Sequence, residues 1–306
     1  MISLKKKKHI KAIAPEDNKI LYQRTGVAKA IFTIMFIFFL VYTLSLILPF
    51  VWVFISAFKG DMEFADFRNS AFSLPQVWHW ENWAICFEAL EVEETNFFGM
   101  LLNSLWFVII GAIIAVFFEV STAYVVVKYS HFKISRILYI LTIFFMTLPI
   151  MGSTGARYKA IWSLGMADSP LYLLFAAKGV GDSFLIFCAS WEGVSSTYRE
   201  AAEIDGAGHF TIFFKVMLPM MVGPIVAVLI LAFIGRWNSY DAVLMYLPSY
   251  PTLATGLYLY KSVTDRMANI PVYFCGIFIS IIPPLVLFSI FSETIMTNVT
   301  QGGIKG

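Results

Sequence analysis

Two places in the sequence put polar groups where chemistry or contact could follow. The first is Ser195-Ser-Thr-Tyr-Arg-Glu-Ala-Ala-Glu-Ile-Asp-Gly-Ala-Gly208. Thr197 and Glu200 stand at capping-box spacing, in which a hydroxyl and a carboxylate satisfy the free amides of a first helical turn. Ala201 and Ala202 favour a helix, and Gly206 can take the positive φ that ends one. The spacing predicts an exposed helix of about two turns closed by a tight turn. It would offer Glu200, Glu203 and Asp205 to a neighbour. Such a segment makes and breaks no bonds. It is either a plain connector or a rigid contact for another protein. The second place is Lys178 and Asp182, inside an apolar run. On a helix, residues i and i+4 share a face. The pair is then either neutralised against the bundle or a water-filled cavity, or a contact on a substrate path, where charges within spans usually lie.

Catalytic groups are poorly supplied. His9, His79, His131 and His209 are scattered, which argues against a metal site. Cys188 and Cys275 lie in apolar runs and Cys86 stands alone in a polar one, so no disulfide framework is expected. No GxxxxGK[ST] phosphate loop is present, so the chain is expected to bind no ATP itself.

The elements that must position these groups are membrane helices. Hydrophobic residues make up 59% of the 306 and charged ones 14%, against roughly 45–50% and 25% in soluble domains. A soluble chain of this length could not hide so much apolar surface in one core, and the same composition excludes disorder. Spans of about 20 apolar residues are expected at 30–58, 97–127, 134–152, 170–191, 216–235 and 272–292. The first is too long for a signal peptide and should stay in the membrane. Six spans put both termini on one side. Of the 22 Lys and Arg, 14 fall on that side, seven on the other, and Lys178 lies within a span. The positive-inside rule makes the termini cytoplasmic. The run Lys5–Lys8 therefore reads as a topology signal and not as a nucleic-acid arm.

The expected organisation is a basic segment at 1–29, a membrane domain at 30–293 with a cytoplasmic loop at about 195–215, and a tail at 294–306. Glu119, alone in the second span, is expected near the cytoplasmic boundary beside Lys128 and Arg136. The 59–96 segment, with Trp78, Trp80 and Trp83, reads as an ordered outer cap or interfacial hairpin. The Tyr- and Pro-rich 236–271 segment reads as a re-entrant loop or a protein-contact surface.

Glu200-Ala-Ala-Glu-Ile-Asp-Gly-Ala207, with Phe213, Leu218-Pro219 and Pro224 after it, resembles the EAA motif of ABC importer permease subunits. The likeness extends along the chain. Ser56-Ala-Phe-Lys59, Glu81-Asn-Trp83, Asn103-Ser104, Ala123-Tyr124 and Trp237-Asn238 resemble positions of the carbohydrate-uptake, maltose-type branch. The tail Gly302-Gly-Ile-Lys-Gly306 resembles that of its MalG-like subunit. The chain departs from the family at Val194–Tyr198, where an Ile-Pro-x-Glu-Leu is usual.

The resemblance implies an all-α, six-span permease of type I importer fold in a bacterial plasma (inner) membrane. It implies that Glu200, Ala201, Ala202, Glu203, Asp205 and Gly206 dock a separate ATPase dimer, which uses ATP and Mg2+. A second, MalF-like permease, an extracellular solute-binding protein and a sugar or oligosaccharide substrate complete the implied system. Lys178, Asp182, Trp237, Asn238, Tyr240 and Tyr250 are the candidates for substrate path or binding-protein contact. An amino-acid or peptide cargo is the alternative within this reading. A secondary transporter would predict an inverted repeat with buried ion-coupling carboxylates, and a membrane hydrolase would predict paired His/Asp or Ser/His groups. The sequence shows neither.

Overall fold

A computed structural model of the chain describes residues 26–66, 72–148, 152–263 and 269–301. The basic run Lys5–Lys8, Pro149 and the tail Gly302–Gly306 lie outside them. The described residues are mostly helical and form no strand beyond an isolated Val92–Thr95 bridge.

The chain divides into two units, one ending at Val53 and one starting at Phe54. Helix α1, Gly26–Ser56, makes up the described part of the first and enters the second. Every side chain from Lys29 to Val51 is exposed, and nearly all are apolar. A helix apolar all round belongs in lipid.

The second unit opens with α2 (Asp61–Ala65) and α3 (Glu81–Ala89), followed by the long α4 (Phe97–Lys128). Next come α5 (Lys133–Thr147), α6 (Ser153–Ser163), α7 (Tyr172–Ala176), α8 (Phe184–Gly193) and α9 (Thr197–Ile204). The chain ends with α10 (His209–Thr211), α11 (Val222–Trp237), α12 (Asp241–Tyr246), α13 (Leu253–Val263) and α14 (Ile270–Gln301). Four helical stretches among the described residues are long and apolar enough to cross a membrane: Lys29–Ser56, Phe97–Lys128, His209–Trp237 and Ile270–Ser292.

The two other expected spans take a different form. The 134–152 span is α5, a helix of 15 residues. The 170–191 span is broken: α7 and α8 are separated by residues 177–183, which are not helical. Gly179 and Gly181 lie in this break, and each costs a helix about 1 kcal/mol relative to Ala. Lys178 and Asp182 therefore do not share a helix face.

The third long stretch, His209–Trp237, is irregular near its start. Residues Ile212–Met217 form a π-helical turn and Leu218–Met221 a 3-10 turn. Pro219 explains the defect. Its ring clashes with the carbonyl four residues back and it has no N–H to donate, so the ladder widens before it and tightens after it.

Helix α4 is the centre of the second unit and packs on α7, α8, α11 and α13. The core joins Val120, Ala123 and Tyr124 of α4 to Phe187 and Trp191 of α8 and Met217 of the π turn. The Trp191 indole N–H donates to the Val120 carbonyl at 3.0 Å.

The motif residues between α1 and α3 build a small cap. Asn82 is buried and its amide donates to the carbonyls of Ala57 and Lys59, both at 2.9 Å. Trp78, Trp80 and Trp83 pack around Phe58. On α4, Asn103 donates to the Pro251 carbonyl at 3.1 Å, and Ser104 Oγ accepts from the Leu253 amide at 2.9 Å. The described part of the 236–271 segment is thereby pinned to α4 and is largely helical, in α12 and α13.

Candidate functional site

Helix α9 matches the predicted length, and its ending matches in detail. Gly206 has φ +79°. The Gly206 amide donates to the Glu203 carbonyl and the Ala207 amide to the Ala202 carbonyl, both at 3.0 Å. These two bonds are a Schellman closure. The start differs from the predicted capping box. Thr197 is already helical, and the Ser195 hydroxyl accepts from the Thr197 amide at 3.3 Å.

Ala202 and Ala207 pack against the core. Glu200, Ala201, Glu203, Asp205 and Gly206 are exposed. Beside them, Ile204 is 86% exposed and Phe210 is 83% exposed. Both large apolar side chains stand free of the core.

The segment is clamped to the end of α4. Lys128 Nζ donates to the Val194 carbonyl before α9. Tyr129 Oη meets His209 Nδ1 at 3.3 Å after it. The Arg199 guanidinium lies 5.4 Å from the Tyr129 ring centre, and its Nη1 is 3.7 Å from Glu203 Oε1. These contacts tie the α9 segment to the end of α4.

Further along α4 is a cavity of about 220 Å³. It is lined by Glu119 of α4, Arg157 of α6, Tyr172 of α7, Lys178 and Asp182 of the 177–183 break, and Arg236 of α11. Glu119 and Tyr172 are buried, Arg157 and Arg236 are half-buried, and Lys178 and Asp182 are exposed at the mouth. The expected Lys178–Asp182 ion pair does not form. Glu119 is not beside Lys128 and Arg136 as expected, because the short α7 and the break leave room for its carboxylate to turn inward.

A second cavity, of about 200 Å³, lies at the far end of α11 and gathers Trp237, Asn238, Tyr240, Tyr258, Tyr273 and Ser280. Tyr240 and Tyr258 stack with ring centres 4.3 Å apart. The Trp237 indole N–H donates to the Ser280 carbonyl at 2.9 Å. Tyr250 is elsewhere and packs edge-on against Trp106. Tyr250 apart, the candidates named from the sequence divide among α9, the charged cavity and the aromatic cavity. Arg157, Arg236, Tyr172 and Tyr258 escaped notice because their neighbours are remote in sequence. Arg236 gave one signal: it precedes Trp237-Asn238 directly.

Among the described residues no group of three or more His, Cys, Asp or Glu is arranged to hold a metal.

A family model described as binding-protein-dependent transport system inner membrane component matches residues 108–302. The chain belongs to this family. The match starts within α4 and takes in both cavities, the α9 segment and α14. The permease is 26% identical over 270 residues to the diacetylchitobiose uptake system permease protein NgcG of Streptomyces coelicolor, covering 87% of this chain and 86% of that one. It is 24% identical over 272 residues to the arabinooligosaccharides transport system permease protein AraQ of Bacillus subtilis, covering 88% and 94%. A chain of a bacterial ABC transporter involved in the import of the acidic polysaccharide alginate superimposes with a TM-score of 0.72, at 18% identity, over 88% of this chain and 98% of that one. The fold is that of an ABC importer permease, and the protein is a multi-pass membrane component.

Proposed function

We propose that the permease is the MalG-like half of the translocation pathway of an ATP-driven importer of sugars or oligosaccharides. The exposed, Schellman-closed α9 with Ile204 and Phe210 beside it carries this reading. It is a rigid surface shaped to be gripped by a separate ATPase dimer, which uses ATP and Mg2+. Of the six motif residues, Glu200, Ala201, Glu203, Asp205 and Gly206 form the grip, Ala202 seats the helix on the core, and the clamp to α4 passes the motion inward. Relatives named for diacetylchitobiose and arabinooligosaccharides favour a carbohydrate cargo over amino acids or peptides.

In this reading α5 with the segment after it, and α7 with α8, complete six crossings, with both termini and α9 in the cytoplasm. The broken fourth crossing is where a pathway is expected, since irregular backbone at membrane depth is tolerated where it lines a cavity. The aromatic cavity of Trp237, Asn238 and Tyr240, and Tyr250 beyond it, face the solute-binding protein. A MalF-like permease supplies the other half of the path.

The test is reconstitution in vesicles with the second permease, the ATPase and the binding protein. Binding-protein-stimulated ATP hydrolysis and uptake of a labelled oligosaccharide are expected together. Stimulation by an amino-acid-loaded binding protein, with none by a sugar-loaded one, would reverse the cargo assignment.

A further inference from the structure

The charged cavity holds an imbalance. Its inner wall carries one carboxylate, Glu119, against two guanidiniums, Arg157 and Arg236, while Lys178 and Asp182 cancel at the mouth. His79 pairs with Glu81 and Arg199 with Glu203 elsewhere in the protein. Neither pair joins members of this cavity. Five charged groups therefore face one space without closing on each other. Glu119 is 8% exposed, and its Oε2 has no hydrogen-bond partner. A buried acceptor without a donor is costly, and so is an uncompensated cation inside a membrane protein. A ligand that brings one negative charge answers the second.

The remaining walls hold the charged groups apart. The Arg236 guanidinium packs on Gly111, where a Cβ would come within 2.9 Å of Nη1. The Arg157 guanidinium sits 5.9 Å from the Tyr246 ring centre, and Tyr246 stacks on Tyr172. The volume of about 220 Å³ equals about seven waters at roughly 30 Å³ each. That is room for one six-membered sugar ring.

We propose that this cavity is a solute-binding station within this subunit for a single sugar ring carrying one acidic group, such as a hexuronate. The guanidiniums of Arg157 and Arg236 take the acidic group, as planar donors suited to a carboxylate. Glu119 lines the wall beside them. Lys178 and Asp182 form the entrance. The inference rests on the sugar-importer reading, and its test is separable from that reading.

The test uses the full transporter in lipid nanodiscs, without binding protein, with D-glucuronate as the probe and D-glucose and acetate as controls. Unfolding temperature is followed against ligand concentration at constant ionic strength. Glucuronate is expected to raise it saturably, with a midpoint at least tenfold below that of glucose or acetate. Arg236→Gln and Arg157→Gln should each shift the midpoint upward at least tenfold. Lys178→Met, at the exposed mouth, keeps the test open if either fails to assemble, and should weaken binding less. Glucuronate no better than acetate, or variants that bind it as the parent does, would overturn the proposal. Hydrolysis stimulated by a sugar-loaded binding protein, measured on the same complex, tests the importer reading independently. If stimulation is seen and glucuronate does not bind, the station alone is wrong. If glucuronate binds and no sugar stimulates, the station stands and the importer reading falls.

Discussion

The carboxylate of Glu119, on α4, lies directly against Gly181, in the break between α7 and α8: a Cβ built at position 181 would overlap Oε1. The break and the charged cavity are therefore one construction. Glycine at 181 leaves the space that the carboxylate fills, and the carboxylate occupies the space a helical side chain would need.

Gly181→Ala is expected to force that carboxylate aside. Overpacking of this kind costs about 1–3 kcal/mol, so unfolding temperature should fall modestly while uptake falls strongly. Adding Glu119→Ala should recover much of the stability lost, because the overlap is removed, and none of the transport. Stability losses that simply add in the double variant would show that the two residues do not touch.

Gly206→Val places a β-branched residue at φ +79°, where the left-handed conformation costs about 1–2 kcal/mol. That is too little to unfold the protein and enough to redirect α9. The variant should reach the membrane at near-normal levels and lose binding-protein-stimulated hydrolysis. Asn, which tolerates this region, should be milder. Glu200→Lys reverses a charge on the exposed face and should also uncouple. Stimulated hydrolysis and uptake near parental levels in both Gly206→Val and Glu200→Lys would reduce the segment to a connector.

Tyr129→Ala removes the ring under Arg199 and the hydroxyl facing His209. Basal hydrolysis by the assembled complex should persist while its stimulation drops several-fold. Tyr129→Phe keeps the ring and should lose much less. Equal losses in the two variants would place the effect in the hydroxyl and not in the cation–π contact.

Cys86, Cys188 and Cys275 are all buried, and burial pushes the Cys86 thiol up to about 12. At pH 8 it is protonated and a poor nucleophile. Native protein should therefore resist maleimide, and denatured protein should take up three labels. On that quiet background, a cysteine at position 93 should label from outside the cell and one at 205 only from inside. Labelling of both from the same side would break the six-crossing topology.

Asn82→Ala deletes both bonds from the cap to the carbonyls of Ala57 and Lys59. Buried acceptors left without donors cost about 1–3 kcal/mol. Thermal unfolding should register that loss, with no change in the ATPase response of the protein that remains folded.

Much of this protein was legible in the sequence because the deciding signals are local. Apolar runs of membrane length mark α1, α4, the His209–Trp237 stretch and α14 one segment at a time. Gly206 announced its positive φ through the alanine-rich helix before it, and the EAA-like run marked an exposed helix. Local signals also misled. The i, i+4 spacing of Lys178 and Asp182 implied a pair only if the helix continued, and Gly179 and Gly181 were warnings that it did not. The charged cavity was decided by tertiary structure alone. Glu119, Arg157, Lys178 and Arg236 come from four separate segments, and each taken singly is a stray charge in or beside an apolar run. They meet because α4 packs at once on α7, α8 and α11, and because a backbone without a side chain at 181 lets a carboxylate in. Hydropathy and spacing report how each segment meets lipid and water. Which charges face one another depends on how those segments pack, and that is a property of contacts between residues far apart in the chain.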